Sequence, residues 1–177
     1  MLESVLIILP KALWLILPAY VANSSAVLFG GGVPIDLRVK IRGKRILGDG
    51  KTYRGLILGT CCGVLVGIFQ NQMAGLLGGV IFPPVVLLSL AFGALFGDIT
   101  ESLIKRRLGI KQGAPFFPFD QLDFIAGAFI TLWLTSEEWF LTHFSLDVII
   151  TILIITPVLH LLTNRIGYII GKKDVPW

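Results

Sequence analysis

The chain has 177 residues, of which 55% are hydrophobic and 15% are charged, and its mean hydropathy is +0.85. Soluble domains are about 45–50% apolar and carry about 25% charged residues, so this composition excludes an ordinary soluble domain. A chain of this length has too little interior to bury so much apolar surface. We therefore predict a single integral membrane domain. The adjacent Cys61 and Cys62 lie in an apolar run, and we interpret them as small buried residues.

Five apolar segments follow one another along the chain, at about residues 4–29, 55–70, 78–97, 122–138 and 147–166. Residues 55–97 contain no Asp, Glu, Lys or Arg, and this stretch is too long for one crossing of about 20 residues. We interpret Gln70-Asn71-Gln72 as the turn that divides it. The predicted fold class is all-α, with five transmembrane helices and two polar loops, at 30–54 and 98–121.

The basic residues predict the orientation of these helices. All 15 Lys and Arg residues except Lys11 fall in the loops 30–54 and 98–121 or at the C-terminal end from Arg165 onward, which includes Lys172 and Lys173. By the positive-inside rule these segments face the cytoplasm, so the N-terminus lies outside and the C-terminus is cytoplasmic. A basic face also suits anionic lipids, so the asymmetry by itself indicates topology rather than activity.

A polar stripe begins directly after the uncharged stretch. If residues 98–105 are helical, Asp98, Glu101, Ser102 and Lys105 follow the spacing i, i+3, i+4, i+7 and share one face. Carboxylates at a membrane boundary are costly unless they are paired or coordinate a ligand. An ordinary ion pair between Glu101 and Lys105 is the simpler interpretation for Glu101, but it leaves Asp98 unexplained.

A second acidic pair, Asp120 and Asp123, precedes the fourth apolar segment. Asp120 is a suitable helix cap, with Asp123 in the favourable first turn. The alternative is a metal site, and a set of oxygen ligands favours Mg²⁺. Both acidic groups lie at the same predicted membrane face as Lys105 and Arg106. Carboxylates that hold Mg²⁺ beside cations are typical of phosphoryl transfer.

The first loop carries a candidate phosphate site just before the second apolar segment. Gly50, Lys51 and Thr52 combine a glycine, a cation and a hydroxyl at a predicted helix start, where main-chain N–H groups suit phosphate. The spacing differs from that of a Walker A loop. Asn23 and Ser24, at the inner end of the first segment, suit either a substrate or a neighbouring helix.

Taken together, these motifs resemble the signature of phosphatidate cytidylyltransferases. The similar stretches are Gly97-Asp98 to Glu101-Ser102, Lys105-Arg106, Gly109-Ile110-Lys111, the Asp120/Asp123 pair, and Lys51-Thr52 with Gly55. Two stretches differ, because Arg54 stands where that family has Glu and residues 114–119 replace its Pro-Gly-His-Gly-Gly stretch. The short five-span chain and the run Pro-Phe-Asp-Gln-Leu-Asp-Phe at 118–124 look like the archaeal branch, the CDP-archaeol synthases.

This resemblance, which covers nearly the whole chain, implies a reaction. A lipid phosphate, 2,3-bis-geranylgeranyl-glycerol 1-phosphate, attacks the α-phosphorus of CTP, and pyrophosphate leaves. The resemblance also implies Mg²⁺, with Asp98, Asp120 and Asp123 as metal ligands, and we count Lys105 with them as catalytic. The remaining candidates are predicted to bind substrate: Asn23, Ser24, Lys44, Gly50, Lys51, Thr52, Glu101, Ser102 and Arg106.

The expected partners are CTP, a lipid phosphate with isoprenoid ether chains and membrane lipid, with no nucleic acid. The expected location is the plasma membrane, with the active site facing the cytoplasm. A cation-coupled membrane transporter is the alternative function, because such proteins also place carboxylates in the membrane. Transporters, however, commonly hold these groups near the midplane of inverted repeats, and here the acids gather at one face of a chain without an evident repeat.

Overall fold

The structure is a computed structural model that describes residues 2–111 and 114–171, with side chains described from residue 7 onward. Lys172 and Lys173, which the orientation prediction uses, lie outside the described residues. Six helices form in this part of the chain: α1 (Leu2–Leu28), α2 (Tyr53–Leu77), α3 (Pro84–Arg107), α4 (Phe119–Thr135), α5 (Glu137–His143) and α6 (Leu146–Ile169). The first loop adds a small antiparallel hairpin of β1 (Lys40–Ile41) and β2 (Lys44–Arg45).

The predicted all-helical membrane class is confirmed, apart from the small hairpin. Of the described helices, α1 (from Ile7), α2, α3 and α6 are long and apolar enough to cross a membrane. Helix α4 has 17 residues and is shorter than these four. The sequence did not predict α5, a helix of 7 residues that follows α4 directly.

The turn predicted at Gln70-Asn71-Gln72 is wrong, because α2 continues to Leu77 and ends at Gly78 with a positive φ of 64°. The polar side chains in this region bond to neighbouring segments instead of forming a turn. Gln70 donates to the Trp14 carbonyl at 2.9 Å. The Asn71 side chain bonds to both main-chain groups of Phe82, at 2.7 and 2.8 Å. As a result α3 starts at Pro84 rather than at residue 78, and it extends ten residues beyond the predicted end.

Glycines bring α2 against α1 and α3. Gly55, Gly59, Gly63 and Gly67 recur every four residues on the buried face of α2. A Cβ added at Gly63 would lie 2.6 Å from the Pro18 carbonyl oxygen of α1, so the two backbones touch directly. Small residues permit such close approach in membranes, where van der Waals packing holds helices together. Because this face points inward, Cys61 lies exposed on the opposite side, and the prediction that it is buried is wrong.

A second glycine contact joins α3 to α4 and positions the polar residues described below. A Cβ at Gly93 would lie 2.8 Å from the Gly127 carbonyl oxygen, and a Cβ at Gly97 would collide with the main-chain carbonyl of Asp123. Asp98 therefore follows a residue that touches Asp123 directly. Away from this contact, α1 packs against α2, α3, α4 and α6 around an apolar core. Its fully buried side chains include Leu15, Ile16, Leu90, Ile125 and Ile152.

Candidate active site

An ion pair links the start of α2 to the second half of α3. The Lys51 Nζ lies 2.6 Å from Asp98 Oδ2, although 47 residues separate the two positions. Thr52 caps α2, since its hydroxyl accepts the Gly55 N–H at 3.1 Å. The predicted helix start at this point is confirmed. Gly50, Lys51, Thr52 and Asp98 together line a small cavity of about 40 Å³.

Two further carboxylates surround this pair. Glu101 and Asp123 both interact electrostatically with Lys51 and with Asp98. Burial alone would lower the pKa of the Lys51 ammonium, but the carboxylates of Asp98, Asp123 and Glu101 together outweigh that effect and the pKa is raised. Lys51 is therefore a permanent cation among three acidic side chains, and only 23% of its side chain is exposed.

The polar stripe from Asp98 to Lys105 lies within α3, so the predicted loop 98–121 is wrong over these residues and the condition for a shared face is met. The Lys105 Nζ lies 3.2 Å from Glu101 Oε1, and about a tenth of each side chain is exposed. The simpler interpretation of these two residues as an i, i+4 pair thus describes their contact. Ser102 is buried beside them and lines neither of the two cavities described here.

The structure brings Asp98 and Asp123 together but gives Asp120 a different contact. Asp120 lies in the first turn of α4, where its Oδ2 accepts the Phe116 N–H at 2.9 Å. Among residues 2–111 and 114–171, no three His, Cys, Asp or Glu side chains are arranged to hold a metal ion. The Asp98/Asp123 pair nevertheless fits Mg²⁺, since this ion commonly takes one or two protein carboxylates and completes its shell with water and substrate phosphates.

A larger cavity of about 290 Å³ lies between the first loop and the end of α3. Three cations and one acid contribute to its wall, which consists of Lys44, Arg45, Gly48, Asp49, Arg106, Gly109 and Ile110. The Nε of Arg106 is buried and has no hydrogen-bond partner in the described part of the chain. A buried guanidinium N–H without an acceptor is costly, so this cavity suits a ligand with anionic oxygens.

Asp36 fixes the shape of this loop, and sequence reasoning missed it. Its carboxylate has no exposed surface and accepts two bonds from Arg45, at 2.8 and 3.0 Å. It also accepts the main-chain N–H groups of Arg38, Leu47 and Gly48. The Arg45 guanidinium is the main reason that the pKa of Asp36 is held far below its usual value. No motif marks this residue, because an acid within a basic loop looks like an exposed surface group.

The hairpin is also tied to α3. Arg107 donates to the carbonyl of Arg45 at 2.8 Å, and Lys44 lies close to Gly109 just past the end of α3. In contrast, Asn23 and Ser24 are half-buried on α1 and line neither cavity. The neighbouring Ala26 and Val27 contribute to the smaller cavity instead.

Comparisons with known proteins agree with this architecture. The sequence matches the family described as CarS-like CDP-archaeol synthase over residues 5–177. A CDP-archaeol synthase of Methanosarcina barkeri is 47% identical over 174 residues, which cover 91% of this chain and 99% of that protein. One of Halobacterium salinarum is 48% identical over 172 residues, with 94% and 95% covered.

A solved structure is similar as well. It is described as an intramembrane enzyme for archaeal membrane lipids biosynthesis, and it aligns with a TM-score of 0.70 and 35% identity over 86% of this chain and 92% of that one. Fold and site thus define an intramembrane enzyme whose helices carry a charged cluster at one end of the bundle. The chain belongs to the CarS-like CDP-archaeol synthase family. The predicted family is confirmed, and the transporter alternative has no support.

Proposed function

We propose that the chain transfers CMP from CTP to an archaeal ether-lipid phosphate, 2,3-bis-geranylgeranyl-glycerol 1-phosphate, in a Mg²⁺-dependent reaction. An oxygen of the lipid phosphate forms a bond to the α-phosphorus of CTP. The bond from that phosphorus to the oxygen bridging to the β-phosphate breaks, and pyrophosphate leaves. The observation that carries the proposal is the Lys51/Asp98/Asp123 cluster, which adjoins a cationic cavity at one end of a membrane bundle.

The cationic cavity is the proposed site for the polyphosphate of the nucleotide. Its Lys44, Arg45 and Arg106 suit phosphate oxygens, and Arg106 has a buried N–H that needs an acceptor. Helix α3 contributes Asp98 to one cavity and Arg106 to the other. These residues are about 12 Å apart along the helix axis, a distance that a nucleoside triphosphate can bridge.

Asp98 and Asp123 are the proposed Mg²⁺ ligands, with phosphate oxygens completing the shell. The ion, when bound, neutralises phosphate charge and aligns the reacting oxygens. We retain Asp120 as a third ligand because it lies one helical turn before Asp123, although its bond to the Phe116 N–H would have to be released. The chain supplies no nucleophile, since the lipid phosphate is itself an anion. Its own residues bind, orient and neutralise.

Lys105 is proposed to help neutralise the phosphates, exchanging its ion pair with Glu101 for a contact to a phosphate oxygen. Thr52 and Gly50 are proposed to contribute at the start of α2, where main-chain N–H groups favour anions. Asn23, Ser24 and Ser102 remain predictions from the sequence.

The proposed topology keeps five crossings, with α4 as the fourth. Its 17 residues extend about 25 Å, near the lower limit for a membrane span. One side of α4 packs against α3, so that side is covered by protein rather than by lipid. By the positive-inside rule, the basic loops support a proposed active site at the cytoplasmic face of the plasma membrane, with the N-terminus outside and the C-terminus cytoplasmic.

The test is a transfer assay on purified protein with labelled CTP, Mg²⁺ and lipid phosphate. We expect a CDP-lipid product with CTP but little with ATP, GTP or UTP, and a preference for the ether lipid over an ester lipid. Chelation with EDTA should stop the reaction, and added Mg²⁺ should restore it. Absence of any CDP-lipid from folded protein would contradict the proposal.

A further inference from the structure

The Lys51 ammonium lies close to three acidic side chains and offsets their mutual repulsion. Its ammonium lies 2.6 Å from Asp98 and interacts with Asp123 and Glu101 as well. Carboxylates held this close together at a partly buried site repel one another unless a positive charge separates them. Lys51 supplies that charge from a different element, the loop before α2.

The main chain of Lys51 is anchored, so only its side chain is free to change position. Its carbonyl accepts the Ile35 N–H at 2.8 Å, and the neighbouring Tyr53 N–H donates to Val33 at 3.2 Å. Thr52 pairs with Pro34 in an isolated bridge. The lysine side chain is a flexible four-carbon stem with a compact charge at its end. It can therefore leave Asp98 without movement of the loop.

A metal ion that binds to Asp98 through Oδ2 has to displace this ammonium, because the same oxygen holds Lys51 Nζ at 2.6 Å. If the metal arrives alone, Lys51 loses its nearest anion at a site where an unpaired charge is costly. If a nucleotide arrives with the metal, its phosphate oxygens offer Lys51 a new partner. Displacement of Lys51 from Asp98 is therefore costly when the metal binds alone, and it is compensated when a nucleotide binds with the metal.

We propose that Lys51 is a resident counter-ion that makes metal and nucleotide bind cooperatively, each increasing the affinity of the site for the other. This proposal rests on the function proposed above, since it assumes that Asp98 binds the metal of a metal–nucleotide complex. Its consequence is that the enzyme resists metal binding without CTP. By linkage, the enhancement is equal in both directions.

The experiment measures Mn²⁺ binding by electron paramagnetic resonance on the full chain in nanodiscs. It is done with and without a CTP analogue whose α,β-bridging oxygen is a methylene group, so that no transfer occurs. For the unmodified protein we expect the analogue to tighten Mn²⁺ binding by about tenfold, within the range typical of coupled sites. If the analogue leaves Mn²⁺ affinity unchanged, the proposal is overturned without any variant.

Two variants separate this role from a merely structural ion pair. Lys51→Met removes the resident charge, so Mn²⁺ alone should bind about tenfold more tightly than to the unmodified protein, and the analogue should tighten Mn²⁺ binding by a smaller factor than it does for the unmodified protein. Lys51→Arg keeps the charge and should preserve the cooperativity. A structural pair would give the opposite result for Lys51→Met, namely Mn²⁺ binding that is equal or weaker, and that result would overturn the proposal.

The CDP-lipid assay on the unmodified protein keeps the two proposals distinct. If that protein forms CDP-lipid but Lys51→Met gains no Mn²⁺ affinity, only the counter-ion proposal fails. If no CDP-lipid forms, the proposed function fails whatever the binding data show. Size-exclusion profiles and melting temperatures monitor folding of the variants, and Lys51→Gln serves as a second neutral substitution.

Discussion

The buried and half-buried polar contacts at the two ends of the helix bundle are of different kinds. At the end where α2 and α3 are joined by residues 78–83, neutral side chains bond to main-chain groups: Trp14 to Val80, Gln70 to Trp14 and Asn71 to Phe82. At the other end the polar side chains are charged and pair mostly with one another, as in Lys51/Asp98 and Glu101/Lys105. A neutral amide that satisfies an unpaired main-chain N–H or carbonyl group stabilises the fold. Charged groups that can exchange one partner for another can form a binding site.

The largest expected effect is on activity and comes from the charged end. Asp98→Asn or Asp123→Asn should lower the transfer rate by roughly 10²–10³-fold, the range seen when one preorganised electrostatic group is removed from an active site. Asp147, exposed at the start of α6, offers a matched control, and Asp147→Asn should leave the rate unchanged. Full turnover in both Asp98→Asn and Asp123→Asn would contradict this contrast between the two ends, because these carboxylates would then have no role in catalysis.

The next effect concerns the cationic cavity. Arg106→Met should raise the KM for CTP by about 10- to 100-fold and change kcat much less, because one charge-assisted hydrogen bond contributes about 1.5–3 kcal/mol. Arg106→Lys should retain part of the affinity for CTP, since lysine keeps the positive charge but lacks the several N–H donors of the planar guanidinium. Steady-state kinetics over a range of CTP concentrations would distinguish this result from a fall in kcat alone, which would argue against a role in nucleotide binding.

At the neutral end the expected effect is on stability. Asn71→Ala removes two hydrogen bonds to Phe82, and each main-chain group left without its partner should cost about 1–3 kcal/mol. The melting temperature should fall, while the transfer rate per folded molecule at low temperature should stay near that of the unmodified protein. A large loss of rate without a loss of stability would show that the two ends are not separate in function.

The smallest effect is a pH dependence that originates in the first loop. The pKa of Asp36 is lowered in the folded state, chiefly by Arg45, so this carboxylate stabilises the fold above its unfolded pKa of about 3.9. That contribution is lost progressively as the pH falls below about 4. Asp36→Asn should therefore lower the melting temperature at pH 7, and the difference from the unmodified protein should shrink at pH 3.5. A difference that stays constant with pH would contradict the assignment.

The sequence predicted what depends on local spacing and composition. The apolar content predicted a helical membrane protein, and the i, i+3, i+4, i+7 spacing predicted that Asp98 and Lys105 share one face if the segment is helical, as it is in α3. The end of the polar loop at residue 54 predicted a helix start close to the observed start of α2 at Tyr53. Each of these signals needs only neighbours within a few residues along the chain.

Features that depend on distant partners were predicted wrongly or missed. Gln70 and Asn71 looked like a turn because their partners, Trp14 and Phe82, lie far along the chain or beyond the true turn. The role of Asp36 was missed for the same reason, since only the folded loop brings its carboxylate oxygens to the N–H groups of Leu47 and Gly48. The contact of Lys51 with Asp98 spans 47 residues, and no periodicity encodes it.

The most direct test of the account is the position of the metal in a complex with nucleotide. Crystals of the protein with Mn²⁺ and the α,β-methylene analogue of CTP would locate the ion by its anomalous scattering. We expect the ion within coordination distance of the Asp98 and Asp123 carboxylates and of a phosphate oxygen, with the Lys51 ammonium moved from Asp98 to the phosphates. An ion bound elsewhere, with the Lys51/Asp98 pair still intact, would contradict the account.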